Sequence, residues 1–232
     1  MSCILHIETS TAVCSVAVSQ DGAVLYEKVD QDGPNHAVVC GPYVEEVLSF
    51  AESHAIPVDA VAVSQGPGSY TGLRIGVSMA KGVCYGRGIP LLAVPTLQLL
   101  TVPVLLYHDE LPEDALFVPM IDARRMEVYA AVYDRALHEL RPVGADIVDA
   151  HTYDEWLERG PVCFFGNGSD KCRQVITHPN AIFVEGIKPL ARNMAPLAER
   201  ALARGETADT AYFEPFYLKE FIATKPKNLL IE

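Results

Sequence analysis

The residues with the most chemical potential in this 232-residue chain run Gly66-Pro67-Gly68-Ser69-Tyr70-Thr71-Gly72-Leu73-Arg74. They lie between a strand-like run, Ala60 to Ser64, and a helical pattern, Gly72 to Tyr85. Backbone N–H groups in such a loop, backed by a helix N-terminus, can hold an anion. Leu73 stands where a Walker loop carries lysine, so that motif is absent. A hydroxyl from Ser69 or Thr71 would cap the helix. The glycines serve equally to bring strand and helix close together, and the sequence alone leaves both readings open.

Two carboxylates share a position. Glu8 follows the apolar run Cys3 to Ile7, and Asp122 follows Phe117 to Ile121. A carboxylate there could hold a metal–phosphate through water or orient an attacking group; it could also cap its own turn. Arg124 and Arg125 either pair with Asp122 or hold a phosphate or a partner's carboxylate. The candidate nucleotide or phosphate loop is therefore Glu8, Thr9, Ser10, Thr11, Gly66, Gly68, Ser69 and Asp122. His36 and Cys40 stand one helical turn apart, but two ligands are too few for zinc. The remaining histidines are scattered, no G-x-S-x-G elbow occurs, and no metal site or catalytic residue is assigned.

The elements that would position these residues come in two copies. In the first, strands Cys3 to Ile7, Val13 to Ser19 and Ala23 to Val29 form a meander with a turn at Asp21-Gly22. In the second, Phe117 to Ile121, Glu127 to Tyr133 and Leu137 to Val143 repeat it. Ile7 with Ile121, Glu8 with Asp122, Val16 with Ala130 and Val18 with Val132 align without a gap. Each meander is followed by a helix, a strand, a glycine loop and a helix: Asn35 to His54, Ala60 to Ser64, Gly66 to Ser69 and Gly72 to Tyr85, then Thr152 to Glu158, Val162 to Phe165, Gly166 to Ser169 and Asp170 to Thr177. This order predicts an α/β fold of two lobes with a cleft between them, residues 1–110 and 111–232. Both acidic turns and both glycine loops fall at strand C-terminal ends, where open α/β sheets place ligands. Pro189 to Ala203 reads as a helix, and Asp209 to Ile222 as an extended tail packing back on the body.

Composition narrows the function. A net charge of −12, from 18 Lys and Arg against 30 Asp and Glu, is unlike the basic footprint of a stand-alone nucleic-acid binder. Six cysteines without a C-x-x-C pair read as reduced, buried thiols. The most apolar stretch, Ile89 to Tyr107, is broken by Pro90, Pro95 and Pro103, so it reads as strand, turn and core helix instead of a membrane span. A cytoplasmic location and no membrane contact are the expectation.

Two helices carry more apolar and small surface than a sheet cover needs. Asn35 to Ser53 is apolar at Val39, Cys40, Tyr43, Val44, Val47, Leu48 and Ala51, with Pro42 either kinking the helix or opening it. Gly72 to Tyr85 sets Leu73, Gly76, Val77, Ala80 and Cys84 on one side. Interior glycine costs up to ~1 kcal/mol of helix stability relative to alanine, which calls for a packing reason. The candidate partner face is His36, Val39, Tyr43, Val47, Leu73, Gly76, Val77 and Ala80; close packing inside the monomer is the alternative.

Ile7-Glu8-Thr9-Ser10-Thr11, Gly66-Pro67-Gly68-Ser69-Tyr70-Thr71-Gly72-Leu73-Arg74-Ile75-Gly76, Asp122-Ala123-Arg124-Arg125-Met126-Glu127-Val128-Tyr129 and Pro215-Phe216-Tyr217-Leu218 together resemble the TsaB (YeaZ) family, over nearly the whole chain. Where Met126 stands, that family usually has a small residue, often glycine. The resemblance implies a duplicated actin-like (ASKHA, ribonuclease H-like) ATPase fold. It also implies a non-catalytic subunit supporting tRNA N6-threonylcarbamoyladenosine (t6A37) synthesis. The implied partners are a TsaD-type catalytic paralogue, whose His-x-x-x-His metal pair reads His36 and Cys40 here, and a TsaE-type ATPase. A homodimer is implied for the lone chain, with tRNA met only through the complex. No cofactor is firmly implied; weak ATP or ADP binding in the cleft is the candidate. The rival readings are an active ATP-dependent small-molecule kinase or ATPase of the same fold, using Glu8 and Asp122, and a metalloprotease.

Overall fold

The structure is a computed structural model and describes residues 1–33 and 35–219. Its first half holds β1 (Cys3–Glu8), β2 (Cys14–Gln20), β3 (Ala23–Asp30), α1 (His36–Ser53), β4 (Ala60–Gly66), α2 (Tyr70–Arg87), β5 (Leu91–Pro95) and α3 (Thr96–Tyr107). Its second half holds β6 (Leu116–Asp122), β7 (Glu127–Tyr133), β8 (Glu139–Ile147), α4 (Asp154–Leu157), β9 (Val162–Phe165), α5 (Ser169–Cys172), β10 (Ala181–Val184), a 3-10 turn (Ala191–Met194) and α6 (Ala195–Arg204).

The strand orders are β3-β2-β1-β4-β5 and β10-β9-β6-β7-β8, the same topology twice. In each, three antiparallel strands adjoin two parallel ones. The ungapped alignment of the two copies does not carry over to strand register. Ile7 faces Val16, whereas Ile121 faces Tyr129 and Ala130 faces Met120. The cause is loop length: Thr9 to Val13 joins β1 to β2, but the shorter Ala123 to Met126 joins β6 to β7. β10 has no counterpart among the sequence expectations; its signal, Ala-Ile-Phe-Val, is only four residues long. Asp170 to Thr177 shrinks to the single turn α5, and Pro189 to Ala203 divides into a 3-10 turn and α6.

Core composition explains the layering. One face of the first sheet, including Leu5, Ile7, Val16 and Val63, packs on α1 and α2 through Val44, Val47, Val77 and Ala80. Its other face, including Ile4, Ala62 and Leu92, meets Leu99 and Val102 of α3 and Leu197 of α6. α3 also gives Leu97, Leu100 and Val104 to the core of the second sheet. A helix that is apolar all round is buried all round, and α3 joins the two sheets for that reason. Pro42 lies within a continuous α1. No helix among the described residues is long and apolar enough to cross a membrane. All six cysteines are free and buried.

Candidate functional site

The C-terminal ends of β1 and β4 bring the first acidic turn and the glycine loop together, and the two are packed on each other. Ser69 N–H donates to the Ser10 carbonyl at 2.7 Å, and the Thr9 hydroxyl donates to the Gly72 carbonyl at 2.8 Å. A Cβ on Gly68 would overlap the Ser10 carbonyl, and one on Gly76 would overlap the Thr9 hydroxyl. These glycines permit the turn and α2 to touch. Gly66, at φ +112, is needed for its backbone angle and because the Phe216 carbonyl fills the place of a side chain. Ser69 caps α2, its hydroxyl accepting from Gly72 N–H at 3.2 Å, so the helix begins at Tyr70. Of the two sequence readings of this loop, the geometry favours close packing.

Glu8 is fully buried. Its Oε1 accepts from Ser10 N–H at 2.6 Å and from the Ser10 hydroxyl at 2.5 Å, while Oε2 and the neighbouring Ser64 hydroxyl lack partners of good geometry. Burial pushes its carboxyl above the ordinary value of 4.5, outweighing the bonds from the serines. Thr9, Ser10 and Thr11 are buried with it.

Asp122 sits at the equivalent end of β6 but is exposed. It pairs with Lys171 of α5, a residue the sequence reading missed because its only signal was a place one turn past the second glycine loop. Asp122 N–H donates to Asn167 Oδ1 at 3.0 Å, and its Oδ1 accepts from Arg124 N–H at 3.0 Å. The side chains of Arg124 and Arg125 therefore do not pair with Asp122. Both residues take left-handed backbone angles, φ +75 and +49, at the tip of the β6–β7 hairpin. Met126 needs no such angle, so the missing glycine there leaves the turn intact.

His36 is buried, its Nε2 lying 3.1 Å from the Val13 carbonyl, and Cys40 is buried beside Cys14. No three metal-ligating groups converge among the described residues.

The expected partner face needs correction. Val47, Leu73, Gly76, Val77 and Ala80 point into the monomer's own core, with Val47, Leu73 and Ala80 at 0% exposure and Val77 at 3%. They are the residues that attach α1 and α2 to the sheet, so no partner can touch them. Val39 and Tyr43 are half-buried on the same core. The periodicity was real, but it marked the inner stripe. The outer surface of α2, together with Ala37 at the start of α1, instead forms an open groove of about 730 Å³ whose lining includes Arg74, Ile75, Ser78, Met79 and Val83. Val38 of α1, 73% exposed, and Tyr85 of α2, 88% exposed, are further exposed apolar side chains on the same two helices.

Two sheets of one repeated order, with paired acidic turns and glycine loops at their C-terminal ends, define an actin-like ATPase (ASKHA) fold. Residues 30–227 match the family described as TsaD, tRNA N6-adenosine threonylcarbamoyltransferase. The tRNA threonylcarbamoyladenosine biosynthesis protein TsaB of Bacillus subtilis is 30% identical over 93% of each chain, and its Escherichia coli namesake is 28% identical over 96% of each. The structure of YeaZ from Pseudomonas aeruginosa superposes with a TM-score of 0.79 at 27% identity, covering 94% of this chain and 100% of that one. The chain belongs to the TsaB (YeaZ) family.

Proposed function

We propose that this chain is a subunit of the machinery for tRNA threonylcarbamoyladenosine synthesis, and that it acts by docking a partner and does no bond-making of its own. The biosynthetic role comes from the names of its relatives. The docking role rests on one observation: the open apolar groove on the outer face of α2, beside the start of α1. Exposed apolar surface of this kind marks contact sites in a chain otherwise able to bury its core. The partner is a TsaD-type catalytic paralogue, a TsaE-type ATPase joins the pair, and a second copy of this chain occupies the same groove when the paralogue is absent. The first acidic turn supports the non-catalytic part of the reading, because Glu8 is fully buried with one oxygen held by Ser10, and the Ser69 amide is bonded within the chain. The chain's net charge of −12 supports the reading that another subunit makes the main RNA contact.

The experiment is co-purification with the TsaD-type paralogue, then a tRNA modification assay with and without this chain. The chain alone is expected to give no modified adenosine, and Ser78→Glu is expected to remove both pairing and the stimulation of the paralogue. Modification by the chain alone, or normal pairing of the Ser78 variant, refutes the proposal.

A further inference from the structure

The tip of the β6–β7 hairpin is a basic point on an acidic chain. Arg124 and Arg125 are both exposed there, and among the described residues neither guanidinium has an ion-pair or hydrogen-bond partner. The two acids of the hairpin are already taken: Asp122 pairs with Lys171, and Glu127 with Lys219. Lys171 also donates to the Glu127 carbonyl at 2.6 Å, which fixes α5 against the hairpin. The arginines therefore face solvent with no free acid on their own hairpin, in a chain of net charge −12. Both take left-handed backbone angles, where a Cβ is crowded by the following carbonyl. Glycine would fit that turn with less strain, yet two long cationic side chains occupy it, and strain of this kind collects at functional positions.

The basic tip continues into aromatic surface. Lys219 joins the hairpin to the last described residues, and two positions earlier the Tyr217 ring lies 4.6 Å from that of Tyr70. Arg74, also exposed, lies over the Tyr70 ring at 5.6 Å and lines the groove on α2. Cations and rings thus alternate from the hairpin to the edge of the groove. Acids at the margin of this surface include Asp170, beside Lys171, and Glu214, near Tyr217.

We infer that this surface, led by Arg124 and Arg125, holds the phosphate backbone of an unpaired stretch of the tRNA while the catalytic paralogue occupies the groove; the inference rests on the function proposed above. A planar guanidinium takes a phosphate through two parallel N–H bonds. Unpaired RNA offers a row of phosphates together with bases free to stack on aromatic rings. An acidic peptide would use the cations but has no need of the interleaved rings, and that favours RNA. The net charge of −12 keeps the affinity of the lone chain low. The contact becomes effective once a partner holds the same RNA, because the second attachment is then intramolecular. Arg74 at the rim of the groove makes the surface continuous with the place where that partner docks.

The test compares three full-length chains, each paired with the paralogue: unaltered, Arg124→Gln with Arg125→Gln, and Arg124→Lys with Arg125→Lys. Binding of tRNA is measured by fluorescence anisotropy across a salt series, with pull-down and melting curves as controls. The glutamine pair should weaken tRNA binding about tenfold and flatten the slope of log affinity against log salt by about 1.4, the share of two single-strand phosphate contacts. Pairing and melting temperature should not change. The lysine pair should fall between the two, since it keeps the charge and loses the fork. In the lone chain at low salt, the Nε–H NMR signals of Arg124 and Arg125 should move on adding tRNA, while that of Arg159, paired with Glu155, stays in place. Equal affinity and slope in all three complexes, with pairing intact, overturns this inference alone. Unaltered proteins that fail to pair overturn the proposed function, and the lone-chain signals then decide the inference. Unmoved Arg124 and Arg125 signals, or equal shifts with inorganic phosphate or polyglutamate, also overturn it.

Discussion

The hydroxyl of Thr9 donates to the carbonyl of Gly72 at 2.8 Å, and one helical turn later a Cβ on Gly76 would collide with the same hydroxyl. The first acidic turn is thus seated on bare helix backbone. Gly76→Ala should destabilise the chain by ~1–3 kcal/mol, the cost of overpacking a filled contact. Gly82 has nothing within 4 Å of a would-be Cβ, so Gly82→Ala should gain up to ~1 kcal/mol from helix propensity alone. Urea unfolding of the two variants side by side checks both signs.

Burial divides α2 into two functional halves. Val77→Glu and Ala80→Glu place a charge in the core and should cost ~3–5 kcal/mol, enough to lose the folded protein. Ser78→Glu lies on the exposed face and should leave the melting temperature within ~2 °C while abolishing pairing with the catalytic paralogue. Melting curves and a pull-down separate the two outcomes; a stable Val77→Glu variant would contradict the packing described above.

Glu8 should make stability fall as pH rises. Its folded pKa is raised by burial above the ordinary 4.5, so the folded chain keeps a proton that the unfolded chain has released. The stability tied to that proton is fully present below pH 4.5 and is lost as pH climbs through the folded value. Glu8→Gln keeps an oxygen for Ser10 and supplies an N–H toward the unpartnered Ser64 hydroxyl. The variant should be more stable than the unaltered chain at neutral pH, with a flatter profile above pH 4.5. Urea midpoints across that range would show parallel curves if Glu8 were not desolvated.

Two histidines should titrate in opposite directions. His6 is fully buried against Ser19, and burial lowers its pKa from 6.5 to about 3. Its contribution to stability is fully present above 6.5 and is lost as pH falls toward 3. His151 is held above 6.5 by Asp154. At pH 5, ring nitrogen shifts should show a neutral His6 and a charged His151; a charged His6 in the folded protein would refute the desolvation argument.

The sequence by itself determined the doubled architecture, because period-2 strands, period-3.6 helices and glycine punctuation are local signals that survive without knowledge of contacts. It located β7 as Glu127 to Tyr133 and placed the glycine loop and both carboxylates at strand ends. Tertiary structure decided which side of each pattern faced inward. An apolar stripe such as Val47, Val77 and Ala80 has the same period whether it meets a sheet or a partner, and only the presence of the first sheet beneath it settles the matter. Tertiary structure also chose Lys171 over the adjacent arginines as the partner of Asp122, because a left-handed turn directs Arg124 and Arg125 outward while α5 brings the lysine across. Pairings between residues far apart in the chain depend on how separate elements are stacked, which no local spacing records.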